Sequence, residues 1–310
     1  MKRIVLLVLI SNVSILLSPM SIESQSLPSL AHVEIRGTGP TNLLLIPCGG
    51  CDWHSWETFM DRNRDRYTMY AVTLPGLGGS KPVEISEMAT GTPLLDEYAS
   101  IVARYALRER LEDLVIVGHS VGAAVALKVV LDHPMVARKL FLVNWAAIHP
   151  ESLNLSPEEK IQRAENSRSE ILKTSDDEFH TRWSGMIPKF IANPRRVPTY
   201  QQMFRTVSRR ASAQIAYEML VYDLRPRLSE IEIPMAAVFG IADGADSKER
   251  RDQALSVIKN APNPRIAFFE DTGHWIMEDR PDEFDRAVHE FVSGQTIKDF
   301  SKPTGSTKPR

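Results

Sequence analysis

Short apolar runs alternate along the chain with longer stretches in which apolar residues recur every three to four positions. The run His32–Arg36 alternates apolar and polar residues, as an outer strand does. Further runs are mostly apolar, as in strands buried on both faces of a sheet. The predicted buried strands are 42–47, 67–74, 114–118, 140–144, 235–240 and 265–270. This alternation predicts an α/β fold with a mainly parallel twisted sheet flanked by helices.

The strand pattern stops between residues 144 and 235. The intervening residues have helical spacing, including 157–172, 176–183 and 200–222. We therefore predict a helical cap at residues 146–230, inserted into a core made of residues 27–145 and 231–293. Such a cap would cover the edge at which open α/β sheets bind ligands.

Both ends of the chain differ from this core. Lys2 and Arg3 precede an apolar run at residues 4–17, which is shorter than the ~20 residues needed to span a bilayer. Residues 1–26 are therefore predicted to be a signal peptide, which implies export to the periplasm or the medium without stable membrane association after cleavage. An uncleaved membrane anchor is the alternative. Residues 294–310 are rich in Lys, Ser, Thr, Pro and Gly and are predicted to form a loose tail.

Composition and charge narrow the classes of function. The 310 residues are 43% hydrophobic and 25% charged, an ordinary globular balance. The 37 basic and 39 acidic residues leave a formal net charge of −2, which gives no electrostatic reason to expect nucleic acid as a partner. A chain of this length can bury a core without a metal or a disulfide framework. We expect a small-molecule substrate, and the sequence leaves the oligomeric state open.

The strongest local signal for chemistry is Gly118-His119-Ser120-Val121-Gly122, which directly follows the predicted strand 114–118 and precedes a helical pattern. A serine on such a sharp turn needs small residues two positions before and after it, because larger side chains would collide with the strand and the helix. The serine hydroxyl would be exposed at the edge of the sheet. Ser120 is therefore the candidate nucleophile.

A serine hydroxyl needs a base, and the base needs a group that orients it. His274 lies in a loop between the predicted strand 265–270 and the final helix, from which its imidazole can reach the edge of the sheet. Asp243 stands three residues after the glycine that ends strand 235–240, a suitable place for the orienting carboxylate. Asp246 and Asp271 remain the alternative acids.

The motifs Gly118-His119-Ser120-Val121-Gly122, Gly240-x-x-Asp243 and Gly273-His274-Trp275, in this order, resemble the α/β-hydrolase fold superfamily over about residues 33–292. The resemblance implies a nucleophile at Ser120, a base at His274 and an acid at Asp243.

The resemblance also implies an oxyanion hole. One donor would be the amide of Val121, and the other would come from the loop after strand 42–47, with Gly49 ahead of Gly50. Cys48 and Cys51, the only cysteines of the sequence, flank these glycines. The sequence leaves their state open between two small buried thiols and, in an exported protein, a small disulfide that stiffens the loop or a redox-sensitive switch on it.

We expect a serine hydrolase that cleaves a small hydrophobic carboxylic ester through an acyl-enzyme, without a metal or an organic cofactor. Aromatic residues expected to contribute to the substrate pocket are Trp53, Trp145, Trp183 and Phe190. One alternative is hydrolysis of a C–C bond. Another is a proline-iminopeptidase-like aminopeptidase, in which Glu178 or Glu218 would hold the substrate ammonium. A non-catalytic ligand-binding module on the same fold is the alternative from another class.

Overall fold

The computed structural model describes residues 27–144, 147–242 and 247–300. The predicted signal peptide, Trp145, Asp243 and Asp246 lie outside the described residues. Within the described ranges, none of the helices is both long enough and apolar enough to cross a bilayer.

Seven strands form one sheet, in the order β1-β3-β2-β4-β5-β6-β7. Strand β1 pairs antiparallel with β3, and all the other neighbours pair in parallel. The prediction of an α/β fold with a mainly parallel sheet is confirmed. The strands are β1 His32–Arg36, β2 Thr41–Ile46, β3 Tyr67–Thr73, β4 Val115–His119, β5 Lys139–Val143, β6 Met235–Ile241 and β7 Arg265–Glu270.

Helices cover both faces of this sheet. Alternate residues of β2 explain the two layers, because Leu44 and Ile46 join one buried cluster while Leu43 and Leu45 join the other. The first cluster includes residues of α2 Pro93–Arg108, α3 Val121–Asp132 and α8 Ser247–Ile258. The second includes residues of α1 Glu57–Asn63, α9 Ile276–Asp279 and α10 Pro281–Val292.

Between β5 and β6, the part of the cap that the structure describes contains four α-helices. They are α4 Pro157–Lys173, α5 Asp176–Met186, α6 Val197–Phe204 and α7 Arg209–Val221. The stretch 200–222, in which the sequence has helical spacing, is divided between α6 and α7. Helix α6 ends at Phe204. The Ser208 side chain caps the start of α7 by accepting a hydrogen bond from the Ala211 amide at 3.3 Å.

The chain after α10 also differs from the prediction, because residues before 301 pack on the core. Ile297 and Phe300 are buried. The Phe300 ring stacks on Phe269 at a centroid distance of 4.3 Å, and the Phe300 amide donates to the Phe268 carbonyl at 2.8 Å. These contacts extend the sheet edge beyond β7, so the expected loose tail does not begin at Gly294.

Candidate active site

Ser120 occupies the turn between β4 and α3. Its φ of +57° and ψ of −118° lie in a region that non-glycine residues rarely adopt. A Cβ atom on Gly118 would lie 2.3 Å from the Gly122 carbonyl oxygen, and one on Gly122 would lie 2.4 Å from the Ile46 carbonyl oxygen. Both glycines are therefore required for close backbone packing. The turn holds Ser120 in a strained conformation. Only 4% of its surface is exposed, so Ser120 is buried and the expectation of an exposed serine at the sheet edge is wrong.

The loop after β2 lies against the first residue of α3. A Cβ atom on Gly49 would come within 2.6 Å of Cγ2 of Val121, so the Gly49 backbone is in contact with this side chain. The first amides of a helix have no carbonyl partner within the helix. The two residues expected to donate to an oxyanion are thus neighbours.

Cys48 and Cys51 are joined by a disulfide bond, and both residues are buried. Of the two alternatives, the structure therefore contains the disulfide. The Cys51 amide also donates to the Cys48 carbonyl at 3.1 Å, which closes a tight turn around Gly49 and Gly50. A Cβ atom on Gly50 would collide with the ring of Phe204, so the cap rests on this turn.

His274 lies in the loop after β7, and its backbone is held from both sides. Its carbonyl accepts hydrogen bonds from Nε2 of His119 at 2.8 Å and from Nδ2 of Asn144. Its amide donates to the Phe190 carbonyl of the cap at 2.6 Å. The His274 and His119 rings lie 4.6 Å apart between centroids. These contacts bring His274 beside the residue that precedes Ser120.

Burial lowers the pKa of His274 to about 4, and the nearby His149 contributes to the same shift. A histidine with a lowered pKa is neutral at neutral pH, as a proton acceptor must be. At neutral pH the imidazole of His274 is therefore in the unprotonated state, in which it can accept a proton.

Asn144, which directly follows β5, connects three chain segments. Besides its bond to His274, its Oδ1 accepts a hydrogen bond from the Gly240 amide at the end of β6, at 2.7 Å. Its φ of +66° is one that asparagine tolerates better than most residues. The linking roles of Asn144 and His119 did not follow from the sequence. An asparagine directly after a buried strand was the only local signal available for the first of them.

Of the three candidate acids, only Asp271 belongs to the described residues. It directly follows β7 and has a φ of +54°. Asp243 and Asp246 follow β6 in the sequence. The last residue of β6, Ile241, is linked to the histidine loop because its carbonyl accepts a hydrogen bond from the Thr272 amide at 3.1 Å. The end of β6 is therefore held close to the loop that carries His274.

A cavity of about 270 Å³ opens beside His274. Its wall includes Asn144 and Phe190, together with apolar residues of β6, β7, α8 and the start of the cap. Trp53 and Trp183 do not line it. Trp53 stacks on His54 at a centroid distance of 3.8 Å, and Trp183 packs against Phe179 at 5.8 Å. Of the four expected pocket residues, Phe190 borders the cavity, while Trp145 lies outside the described residues.

Comparison with known proteins identifies the family of this chain. A family described as the alpha/beta hydrolase family matches residues 43–287. The chain is a member of the alpha/beta hydrolase family.

Relatives of this alpha/beta hydrolase include enzymes with different reactions. It is 24% identical over 272 residues to a pimeloyl-[acyl-carrier protein] methyl ester esterase of Yersinia enterocolitica, covering 84% of this chain and 96% of the relative. It is also 24% identical over 278 residues to a 2-hydroxy-6-oxo-6-phenylhexa-2,4-dienoate hydrolase of Burkholderia cepacia. This match covers 84% of this chain and 91% of the relative. The comparison therefore establishes a hydrolase family and leaves the substrate open.

Two further matches differ in extent. A dihydrolipoyllysine-residue acetyltransferase component of the acetoin cleaving system of Cupriavidus necator is 34% identical over 109 residues, which cover 35% of this chain and only 28% of that protein. The solved structure of a thermophilic esterase from Thermogutta terrifontis matches with a TM-score of 0.67 at 20% identity, covering 85% of this chain and 93% of that one. The second likeness supports the fold.

Two carboxylates considered for an aminopeptidase have other partners in this alpha/beta hydrolase. Glu178 is exposed and forms a capping box with Ser175 at the start of α5. Glu218 is fully buried in α7, where its oxygens accept hydrogen bonds from the Leu94 and Leu95 amides, each at 2.8 Å. Neither residue lines the cavity beside His274. The aminopeptidase alternative thus loses both of its candidate ammonium ligands.

Proposed function

We propose that this alpha/beta hydrolase is a serine-dependent carboxylic ester hydrolase acting on small hydrophobic esters. In this mechanism, Ser120 attacks the ester carbonyl while His274 accepts its proton. Asp243 orients His274, and the amides of Gly49 and Val121 hold the oxyanion. His274 then protonates the leaving alcohol. The same groups activate a water molecule that hydrolyses the acyl-enzyme on Ser120.

The observation that carries the proposal is the position of Ser120 on a strained strand-to-helix turn, beside the loop of His274. A backbone held at φ +57° in a non-glycine residue has a cost that the surrounding fold must offset, and such strain concentrates at functional sites. Nε2 of the adjoining His119 is hydrogen-bonded to the backbone carbonyl of His274. A turn serving only to connect β4 and α3 would not require this coupling.

A C–C bond hydrolase is the second candidate, because the Burkholderia cepacia relative has that type of substrate in its name and matches over most of both chains. Both candidates use the same serine and base. They differ in the bond that is broken, so a substrate panel separates them.

The test compares the wild-type protein with Ser120→Ala on p-nitrophenyl esters of two to eight acyl carbons and on a vinylogous diketone. We expect ester turnover by the wild type and a loss on the order of 10³-fold or more in Ser120→Ala. A fluorophosphonate should label only the wild type. Turnover of the diketone alone would support the C–C hydrolase. Equal ester turnover by the wild type and Ser120→Ala would exclude Ser120 as the nucleophile. A wild-type protein that neither turns over a substrate nor is labelled by the fluorophosphonate would indicate a binding module.

We also propose that the protein is exported. The proposal is supported by the basic and apolar pattern of residues 1–17 and by the Cys48–Cys51 disulfide, since disulfides persist in oxidising compartments. Fractionation of producing cells, followed by N-terminal sequencing, tests it. Cleavage within or shortly after residues 21–26 is expected, whereas an intact N-terminus in the cytosolic fraction would contradict export.

A further inference from the structure

Two consecutive carboxylates, Glu278 and Asp279, end the short helix α9 that follows the loop of His274. Each binds the cap, but they reach different parts of the core. Glu278 pairs with Arg196 of the cap at 3.0 Å and accepts a hydrogen bond from Thr58 of α1 at 3.1 Å. Asp279 instead binds the histidine loop itself. This difference makes the two residues a natural comparison.

The Asp279 carboxylate accepts three backbone hydrogen bonds. Its Oδ1 receives the amides of Ala192 and Asn193 of the cap, at 2.8 and 3.0 Å. Its Oδ2 receives the amide of Gly273 at 2.8 Å. One oxygen therefore holds the cap, and the other holds the residue directly before His274.

The surrounding packing leaves little freedom in this contact. A Cβ atom on Gly273 would lie 2.3 Å from the Phe190 carbonyl oxygen and 2.8 Å from Oδ2 of Asp279. The Phe190 carbonyl also accepts the His274 amide. Burial raises the pKa of Asp279, while its three amide donors oppose this shift. The cap segment and the histidine loop thus form one hydrogen-bonded unit centred on Asp279.

We propose that Asp279 is a positioning residue, which sets the place of the His274 imidazole through Gly273 and makes that place depend on the docked cap. This inference rests on the proposed function of His274 as the base. Because catalysis is sensitive to displacements of about 1 Å, loss of the Gly273 bond lowers turnover even when the cap stays in place.

Asp279→Asn separates the two bonds. The asparagine oxygen can still accept from Ala192 and Asn193, but its amide nitrogen then faces the Gly273 amide, donor against donor. We expect kcat on ester substrates to fall on the order of 10- to 100-fold, with KM within about twofold of the wild-type value. The urea midpoint should stay above that of Asp279→Ala, which loses all three bonds.

Glu278→Gln is the matched control, because it weakens a buried contact between cap and core without touching Gly273. We expect it to lower the urea midpoint while leaving kcat of the folded enzyme near the wild-type value. Should Asp279→Asn fail to fold, Asp279→Glu keeps the charge but displaces the carboxylate, and the same selective loss of kcat is expected.

A wild-type kcat in a folded Asp279→Asn or Asp279→Glu variant would overturn the inference. So would equal losses of kcat in Asp279→Asn and Glu278→Gln, since that result would indicate a general effect of cap docking. Ser120→Ala, assayed in parallel, keeps the two proposals apart. If it is inactive while Asp279→Asn has wild-type kcat, only the positioning role fails. If it retains full turnover, the proposed mechanism itself fails.

Discussion

Nε2 of His119 donates a hydrogen bond to the backbone carbonyl of His274, 155 residues further along the chain, at 2.8 Å. Because a carbonyl can only accept, Nε2 must carry the proton. Burial holds the pKa of His119 well below its ordinary value, which keeps the ring neutral. The residue before the candidate nucleophile thereby anchors the loop of the candidate base.

Replacing His119 with alanine should therefore affect both stability and turnover. The variant removes one of the two side-chain donors to the His274 carbonyl and opens a buried space, so we expect a loss of about 1–3 kcal/mol in the free energy of unfolding. The kcat should fall because His274 is less well held. Urea denaturation and ester kinetics check both effects. Unchanged values would show that Asn144 alone is sufficient to hold the carbonyl.

Strain at Ser120 predicts different stabilities for two small replacements. Glycine adopts positive φ without the steric cost of a Cβ atom, so Ser120→Gly should be more stable than Ser120→Ala by about 1 kcal/mol. Both variants should be inactive on esters. Urea denaturation of the two proteins is the measurement. A less stable glycine variant would mean that the turn is not strained.

A methyl group on Gly49 should disturb the proposed oxyanion site. Its Cβ would lie 2.6 Å from Val121, so we expect Gly49→Ala to lower kcat on the order of 100-fold. Gly185→Ala is the control, because a Cβ atom there meets nothing within 4 Å and the residue lies in helix α5. Ester kinetics should show wild-type turnover for this control. Retained turnover in Gly49→Ala would show that the Val121 side chain yields to the methyl group and that the close approach of these two residues is not needed for turnover.

Glu218 should make stability depend on pH. Burial raises its pKa in the folded protein to about 7 from a reference value of 4.5, so the folded state binds the proton more tightly than the unfolded state. The resulting contribution to the free energy of unfolding is about 3 kcal/mol. It is fully present below pH ~4.5 and is lost as the pH rises through about 7. Urea denaturation from pH 4.5 to 8 should show this decline in the wild type. In Glu218→Gln, the free energy of unfolding should lose the part of its pH dependence that Glu218 causes. A pH dependence identical to that of the wild type would assign the decline to other groups.

The disulfide predicts the thiol content and a moderate stabilisation. No thiol should react in the denatured, unreduced protein, and two should react after reduction. Because the bond closes a very short loop, its loss in the double variant Cys48→Ser and Cys51→Ser should cost about 2 kcal/mol by the chain-entropy relation. Thiol titration and urea denaturation test these expectations. Two reactive thiols before reduction would contradict the bond.

The sequence alone was sufficient for the features that depend on near neighbours. The apolar runs predicted the seven strands found among the described residues, because strands buried by covering helices must be apolar along their length. Gly118 and Gly122 identified the turn of Ser120, because the collisions that require them involve adjoining segments. The interruption of the strand pattern also predicted that helices lie between β5 and β6.

Only the tertiary structure decided which distant groups meet. Glu218 looked available for a substrate from its sequence position, yet it accepts amides at the start of α2, more than 120 residues away. The hydrogen bond between His119 and His274 and the one that Asp279 accepts from the cap also join segments that are far apart in the sequence. Local periodicity records which face of an element is buried, whereas the partner of a buried polar group depends on how separate segments pack.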